Sequence, residues 1–177
     1  VTLGLWIQTL ALFFYFLFFG MILNVIVFIL RIILPISAQK KYQLFDWMLT
    51  TFLKTVPFLN PFVKKVFVNP EKRNTQQTVF ISNHSSSLDI PVNKMLLPKS
   101  IFVVNDWVYN SPIYGKAIRS AGFFPVTKGL EDNVEKLEQH IGNEFSVIIY
   151  PEGTRSSSNA LGRFHKGAFY LADELNL

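Results

Sequence analysis

Apolar positions along the chain fall into three regimes. In the first, residues 10–30 carry no charge and are rich in Leu, Phe and Ile. As a helix this run extends roughly 32 Å, enough to cross a bilayer. A signal peptide has a shorter apolar core and a small-residue cleavage site, so residues 1–36 read as a transmembrane segment. Gly20 and Asn24 are its interruptions. The alternative, a buried core helix, needs a larger protein to cover it on all sides.

In the second regime Leu44, Phe45, Met48, Leu49, Phe52, Leu53 and Val56 recur every three or four positions, painting one face of a helix. Pro57 and Pro61 are expected to break it. Phe58, Phe62, Val63, Val66 and Phe67 then interleave with Lys54, Lys64 and Lys65. Residues 37–75 therefore predict an amphipathic, basic segment at a membrane interface. Simple packing of that helix on the folded domain fits the same pattern.

From Thr78 onward short apolar runs alternate with helical patterns. Strands are predicted at 78–82, 101–104, 123–126 and 146–150, and helices at 87–97, 112–121, 130–141 and 166–175. Leu130, Val134, Leu137 and Ile141 share one side of the third of these helices, with Glu131 and Asp132 in its first turn, where the macrodipole favours acids. Strands separated by helices imply an α/β fold with a largely parallel sheet flanked by helices, preceded by a membrane-spanning or membrane-embedded helix. Residues 76–177 would form the catalytic domain.

Composition sharpens this picture. The 177 residues are 50% hydrophobic and include 18 Phe, and the mean hydropathy is +0.29. That is too apolar for an ordinary soluble domain and calls for a membrane element. Cysteine is absent, which excludes disulfides, thiolate metal sites and a cysteine acyl-enzyme. The net charge of +5 is concentrated early: residues 1–75 hold eight basic side chains against Asp46 and Glu71. A basic collar beside an apolar segment suits anionic membrane lipids, each Lys or Arg adding about 1 kcal/mol near their surface. Arg31, Lys40 and Lys41 follow the apolar run, which puts the C-terminal side on the cytoplasmic face, at the inner membrane if the source is bacterial. With no aromatic-basic RNA motif and no zinc-finger spacing, nucleic acid is not expected as a partner. The chain starts at Val1 and stops at Leu177 inside an expected helix, so it reads as a fragment or a chain missing its ends.

Candidate chemistry lies at the exits of two predicted strands. After Thr78-Val79-Phe80-Ile81 comes Ser82-Asn83-His84-Ser85-Ser86-Ser87-Leu88-Asp89. Residues five apart on a helix are rotated by about 140° and do not share a face. His84 and Asp89 meet more easily if His84 sits in a turn and Asp89 in the first turn of the next helix. The three serines are N-cap candidates for that helix. Asp89 would then accept the Nδ1 proton of His84 and leave Nε2 free to take a proton from an alcohol, a general-base contribution of roughly 10²–10⁴-fold. Taken singly, Asp89 reads as a capping carboxylate and His84 as a loop histidine.

The second run is Tyr150-Pro151-Glu152-Gly153-Thr154-Arg155-Ser156. Arg155 offers a rigid fork of donors suited to phosphate. Gly153 permits close backbone approach, Thr154 adds a hydroxyl, and Glu152 is suited to orient substrate or to hold this loop against the His84 turn. A structural salt bridge between Glu152 and Arg155 is the alternative. Arg163, His165 and Lys166 form a further basic cluster, read either as a phosphate contact or as a solvated helix start. His140, at an expected helix end, reads as structural.

Together the two runs resemble the glycerolipid acyltransferase family, typified by 1-acylglycerol-3-phosphate acyltransferase. Residues 84–89 match its H-x-x-x-x-D motif and residues 151–156 its P-E-G-T-R-S motif, in the family's order and spacing. Between them Gly122-Phe123-Phe124-Pro125-Val126-Thr127-Lys128 resembles the family's G-x-x-F-I-x-R block, with Pro125 and Val126 in place of Phe-Ile and Lys128 in place of Arg. The family's later block, a short Pro-flanked apolar strand, is not visible in the sequence.

The resemblance implies an enzyme that moves a fatty acyl group from acyl-CoA or acyl carrier protein to a lysophospholipid, most simply 1-acylglycerol-3-phosphate. His84 would be the base and Asp89 its orienting partner. Arg155 and Lys128 would hold the anionic head group, in a site shaped by Gly122, Glu152, Gly153 and Thr154. Neither a cofactor, nor a metal, nor a covalent acyl-enzyme is implied. Because Lys keeps Arg's charge but not its fork, Lys128 motivates a different acceptor, such as an amino-acid-containing lyso-lipid. A lipid-binding membrane module without catalysis would explain residues 1–75 but not the motifs. Serine hydrolysis at Ser82 or Ser85 would lack the G-x-S-x-G elbow.

Overall fold

The structure, a computed structural model, describes residues 3–59, 66, 77–126, 134, 137, 138, 145–155 and 161–177. Helix α1 runs from Leu3–Ile33 and α2 from Ala38–Phe58. Then come β1 (Val79–Ile81), α3 (Asp89–Leu96), β2 (Ser100–Val104), α4 (Asp106–Tyr109), α5 (Gly115–Ser120), β3 (Phe124–Pro125), β4 (Ser146–Ile149) and α6 (Gly167–Glu174). The four strands form one sheet in the order β1-β4-β2-β3, with every pairing parallel. This is the α/β arrangement that the alternating pattern predicts.

The central strands explain the continuous apolar runs. Every residue of β2 and β4 is buried, as expected where helices cover both faces of a parallel sheet. Alternation along each strand divides the core in two. Phe102, Val104, Ile148 and Tyr150 face a cluster built with Leu23 and Val27 of α1, Phe45, Leu49 and Leu53 of α2, and Ala117 and Ile118 of α5. Ile101, Val103, Val147 and Ile149 face the other cluster, with Ala168 and Leu171 of α6. Each fully buried aliphatic or Phe side chain contributes about 1.5–3 kcal/mol relative to exposure.

Helix α1 is long and apolar enough over Trp6–Ile33 to cross a membrane. It exposes Trp6, Phe13, Phe14 and Phe18 on its outer side, while Leu23, Asn24 and Val27 are buried against the domain. The amide of Asn24 donates to Pro112 O at 3.1 Å and its Oδ1 accepts from Ala117 N–H at 3.0 Å, so its polar capacity is met by α5 and the turn before it. Pro35 follows shortly after the helix and stops its continuation. The Ser37 hydroxyl then caps α2 by accepting from Lys40 N–H at 3.4 Å.

The periodic face of α2 packs inward as its spacing predicts, but Pro57 does not break the helix: it lies within the last turn. Its buried Asp46 pairs with Lys94 of α3 at 2.7 Å. Lys94 also donates to Ser100 O at 2.6 Å. Burial pushes the Asp46 carboxyl up, with Lys94 opposing, and pushes the Lys94 ammonium down, with Asp46 opposing.

Two helices differ from expectation. The predicted helix at 112–121 begins only at Gly115, because Pro112, Ile113 and Tyr114 form a turn first. The single turn α4 was not predicted, being too short to show a period. The helix expected at 130–141 lies outside the described residues except at Val134, Leu137 and Glu138, which are helical.

Candidate active site

The carboxyl ends of β1, β2 and β4 converge, and a cavity of about 260 Å³ opens there. In open parallel sheets the crevice beyond the strand C-termini is where ligands bind. Here β4 lies between β1 and β2, so the chain leaving β1 and the chain leaving β4 meet side by side. The first brings His84 to the cavity and the second brings Tyr150, Gly153, Thr154 and Arg155. Ile90, Val103, Val104, Val108, Val126 and Ile149 give it an apolar wall, with Trp107 also lining it. Trp107 is largely exposed.

His84 sits in an extended turn and Asp89 is the first residue of α3. Their Nδ1 and Oδ2 atoms are 2.9 Å apart. The same Oδ2 accepts the backbone N–H groups of Ser85 and Ser86, both at 2.8 Å. An ionised carboxylate only accepts, so the ring proton belongs on Nδ1 and Nε2 keeps its lone pair. The serines do not cap α3 as expected. Leu88 occupies the N-cap with no side-chain hydrogen bond, and the Asp89 carboxylate folds back onto the serine N–H groups instead. The Ser86 hydroxyl accepts from Leu88 N–H at 3.1 Å and steadies the turn.

The loop after β4 is bound to this turn at two places, and to the end of β2 at a third. The buried Glu152 carboxylate accepts from His84 N–H at 3.4 Å through Oε1 and from Gly162 N–H at 2.8 Å through Oε2. Thus Glu152 holds backbone, and its ion-pair reading with Arg155 does not arise. The Arg155 Nη1 donates to Ser87 Oγ at 2.9 Å, and its remaining donors lie at an exposed rim. The Asn105 amide, just after β2, donates to Gly153 O at 3.2 Å. Gly153 has φ +68°, a left-handed conformation that favours glycine.

Gly122 plays a different part. It does not line the cavity. Its φ is +77°, and a Cβ there would come within 2.4 Å of Tyr42 Cε2, so this glycine permits the tight turn into β3 against α2. Lys128 lies outside the described residues, as does His140. Backbone N–H of His165 donates to Pro151 O at 2.8 Å, anchoring the exposed 161–166 segment beneath the loop. Among the described residues no three His, Cys, Asp or Glu side chains cluster to hold a metal ion.

Sequence reasoning missed two side chains here. The Tyr150 ring stacks on the His84 imidazole, with centroids 4.4 Å apart and planes 24° from parallel. The Tyr150 hydroxyl accepts from the Asn93 amide at 3.1 Å. Burial pushes the Tyr150 phenol well above its ordinary range, opposed by the Asn93 bond and assisted by the Asp89 charge. Asn93 follows Asp89 by one helical turn, a spacing visible in the sequence.

The family model "Acyltransferase" matches residues 64–177. The chain is 31% identical over 118 residues to a chloroplastic 1-acyl-sn-glycerol-3-phosphate acyltransferase of Brassica napus, covering 63% of this chain and 34% of that protein. It is 34% identical over 98 residues to a chloroplastic enzyme of the same name from Arabidopsis thaliana, covering 53% and 28%. It is 31% identical over 101 residues to the human 1-acyl-sn-glycerol-3-phosphate acyltransferase beta, covering 53% and 36%. The matched stretch thus spans about a third of these relatives. In fold, the chain is similar to the crystal structure of the 1-acyl-sn-glycerophosphate acyltransferase of Thermotoga maritima, with a TM-score of 0.68, 23% identity, and coverage of 97% of this chain and 70% of that one.

Proposed function

The chain belongs to the acyltransferase family, and from that premise we propose that it is a membrane-bound O-acyltransferase converting 1-acylglycerol-3-phosphate to phosphatidic acid with an acyl thioester as donor. The observation that carries this reading is the His84–Asp89 pair, 2.9 Å apart, with His84 lining the same cavity as Arg155.

The chemistry follows from that geometry. The acceptor hydroxyl gives its proton to His84 Nε2 as its oxygen attacks the thioester carbonyl. Asp89 holds the ring through Nδ1 and offsets the imidazolium charge. When the tetrahedral intermediate collapses, the new ester forms, the C–S bond breaks, and the departing thiolate takes the proton back from His84. One ester and one thiol result, and His84 is restored. The exposed donors of Arg155 suit the acceptor's phosphate, and the apolar cavity wall suits an acyl chain. No cofactor takes part in these steps.

The exposed apolar side of α1 supports membrane attachment. Arg31, Lys40 and Lys41 at its end support a catalytic domain on the cytoplasmic face and contact with anionic lipids. Division of the chain at residues 36 and 75 into membrane, interface and catalytic segments belongs to the same reading.

The test is mass spectrometry of lipids formed by the full chain in mixed micelles, given acyl-CoA or acyl carrier protein and a panel of lyso-lipids. Phosphatidic acid should dominate. A better amino-acid-containing acceptor would move the assignment to that lipid class. Vesicle binding with no acyl transfer to any acceptor would reduce the protein to a lipid-binding module.

A further inference from the structure

We propose that Tyr150 is a positioning residue for His84, its ring serving as the fixed face against which the imidazole lies while Nε2 gains and loses a proton. The inference rests on the reading of His84 as the base, and goes beyond it by naming what keeps that base aimed.

The geometry gives the ring two supports and one task. Its first support is packing: Tyr150 is buried, with Phe102 beside it at 6.4 Å between centroids. The second is the Asn93 amide, which donates to the phenol oxygen at 3.1 Å and also reaches Ser82 Oγ at 3.4 Å. The task is the stack on His84 at 4.4 Å and 24°. A single hydrogen bond at Nδ1 leaves an imidazole free to swing about that contact. A parallel ring on one face removes this freedom.

Helix α3 supplies both constraints. Asp89 and Asn93 are one turn apart, so they project from the same side of the helix. Asp89 reaches the edge of the imidazole, and Asn93 reaches the ring beneath it. The π face of Tyr150 also favours a cation above it, so the stack suits the imidazolium formed during acyl transfer. The groups facing His84 are the Asp89 carboxylate of α3, the Glu152 carboxylate on its backbone N–H, the Tyr150 phenol, and the Arg155 guanidinium across the cavity.

Three measurements on the full chain in micelles test the inference. Tyr150→Leu should lower kcat by about 100-fold, as expected for a misaimed catalytic group, with KM for either substrate changed by less than about threefold. Tyr150→Phe keeps the ring and loses one neutral hydrogen bond, so it should lose no more than about tenfold in kcat. The third measurement needs no variant at this position: NMR of the wild-type protein should show His84 ring protons shifted upfield by the Tyr150 ring current, assigned by their disappearance in His84→Ala.

Tyr150→Leu at near wild-type kcat, Tyr150→Phe as impaired as Tyr150→Leu, or unshifted His84 protons would each overturn the inference. None of these would touch the reading of His84 as base, which fails separately if His84→Ala retains turnover.

Discussion

The two ends of α3 each anchor a pair of oppositely charged side chains, and the pairs differ in what is left over. At the start, His84 meets Asp89, with side chains 19% and 21% exposed. Near the end, Lys94 meets Asp46, at 0% and 10%. Lys94 spends its donors on Asp46 and Ser100 O inside the core. His84 spends Nδ1 on Asp89 and keeps Nε2 beside an open cavity. The first joins a loop to the helix that follows it, and the second joins two helices through residues 48 apart in sequence. Only one retains unused bonding capacity beside an open cavity, and that is what suits it to the proposed proton transfer. Asn24 falls on the structural side: buried in an apolar helix, it uses both ends of its amide on backbone groups.

Breaking the buried pair should produce the largest loss of stability. Lys94→Met leaves the Asp46 carboxylate buried without its cation, a change that costs about 3–5 kcal/mol. Adding Asp46→Leu removes the stranded charge and should recover most of that loss. Chemical unfolding of the single and double variants in detergent measures both. If the double variant is no more stable than the single one, the pair is not the isolated unit described above.

The exposed rim should respond in substrate binding instead. Arg155→Ala should raise KM for the phosphate-bearing acceptor by about tenfold to a hundredfold, in keeping with loss of a charged hydrogen bond, and leave thermal stability nearly unchanged. Steady-state kinetics with varied acceptor and saturating donor reads this directly. An unchanged KM would remove Arg155 from head-group binding.

Asn24→Leu should cost about 1–3 kcal/mol, because Ala117 N–H is then buried without its acceptor. The same unfolding assay measures it. A neutral result would mean that α1 and α5 are held by apolar contact alone.

The pH dependence is the gentlest probe. Burial raises the Tyr42 and Tyr150 phenols above their ordinary value. As pH rises past about 10, the unfolded chain releases these protons and the folded chain keeps them. The folded state then binds more protons, so stability falls with rising pH from that point. It is fully present below that value. Phenolate absorbance should show at least two tyrosines ionising only as the protein unfolds.

The strands were the most legible part of the fold. Val79–Ile81, Ser100–Val104, Phe124–Pro125 and Ser146–Ile149 lie within a residue or two of the predicted runs, because buried parallel strands are continuous in apolar character. The Asp89 position in the first helical turn was legible too, since the five-residue spacing excludes a shared helix face. The contact between Asp46 and Lys94 was not: it joins residues 48 apart in sequence, and local pattern says nothing about which helices pack. The stack of Tyr150 on His84 was hidden for the same reason, since it depends on β1 and β4 being neighbours. Serine capping of α3 was a plausible local rule that lost to Asp89, whose carboxylate takes two N–H groups and the imidazole at one oxygen.

The central claim is that the unspent nitrogen of His84 takes the acceptor's proton. Single-turnover acyl transfer from acyl-CoA to 1-acylglycerol-3-phosphate, compared between wild type and His84→Ala at matched unfolding free energy, tests it most directly. The account predicts a rate about 10²–10⁴-fold lower with the fold intact. A variant that transfers acyl groups at close to the wild-type rate would contradict it.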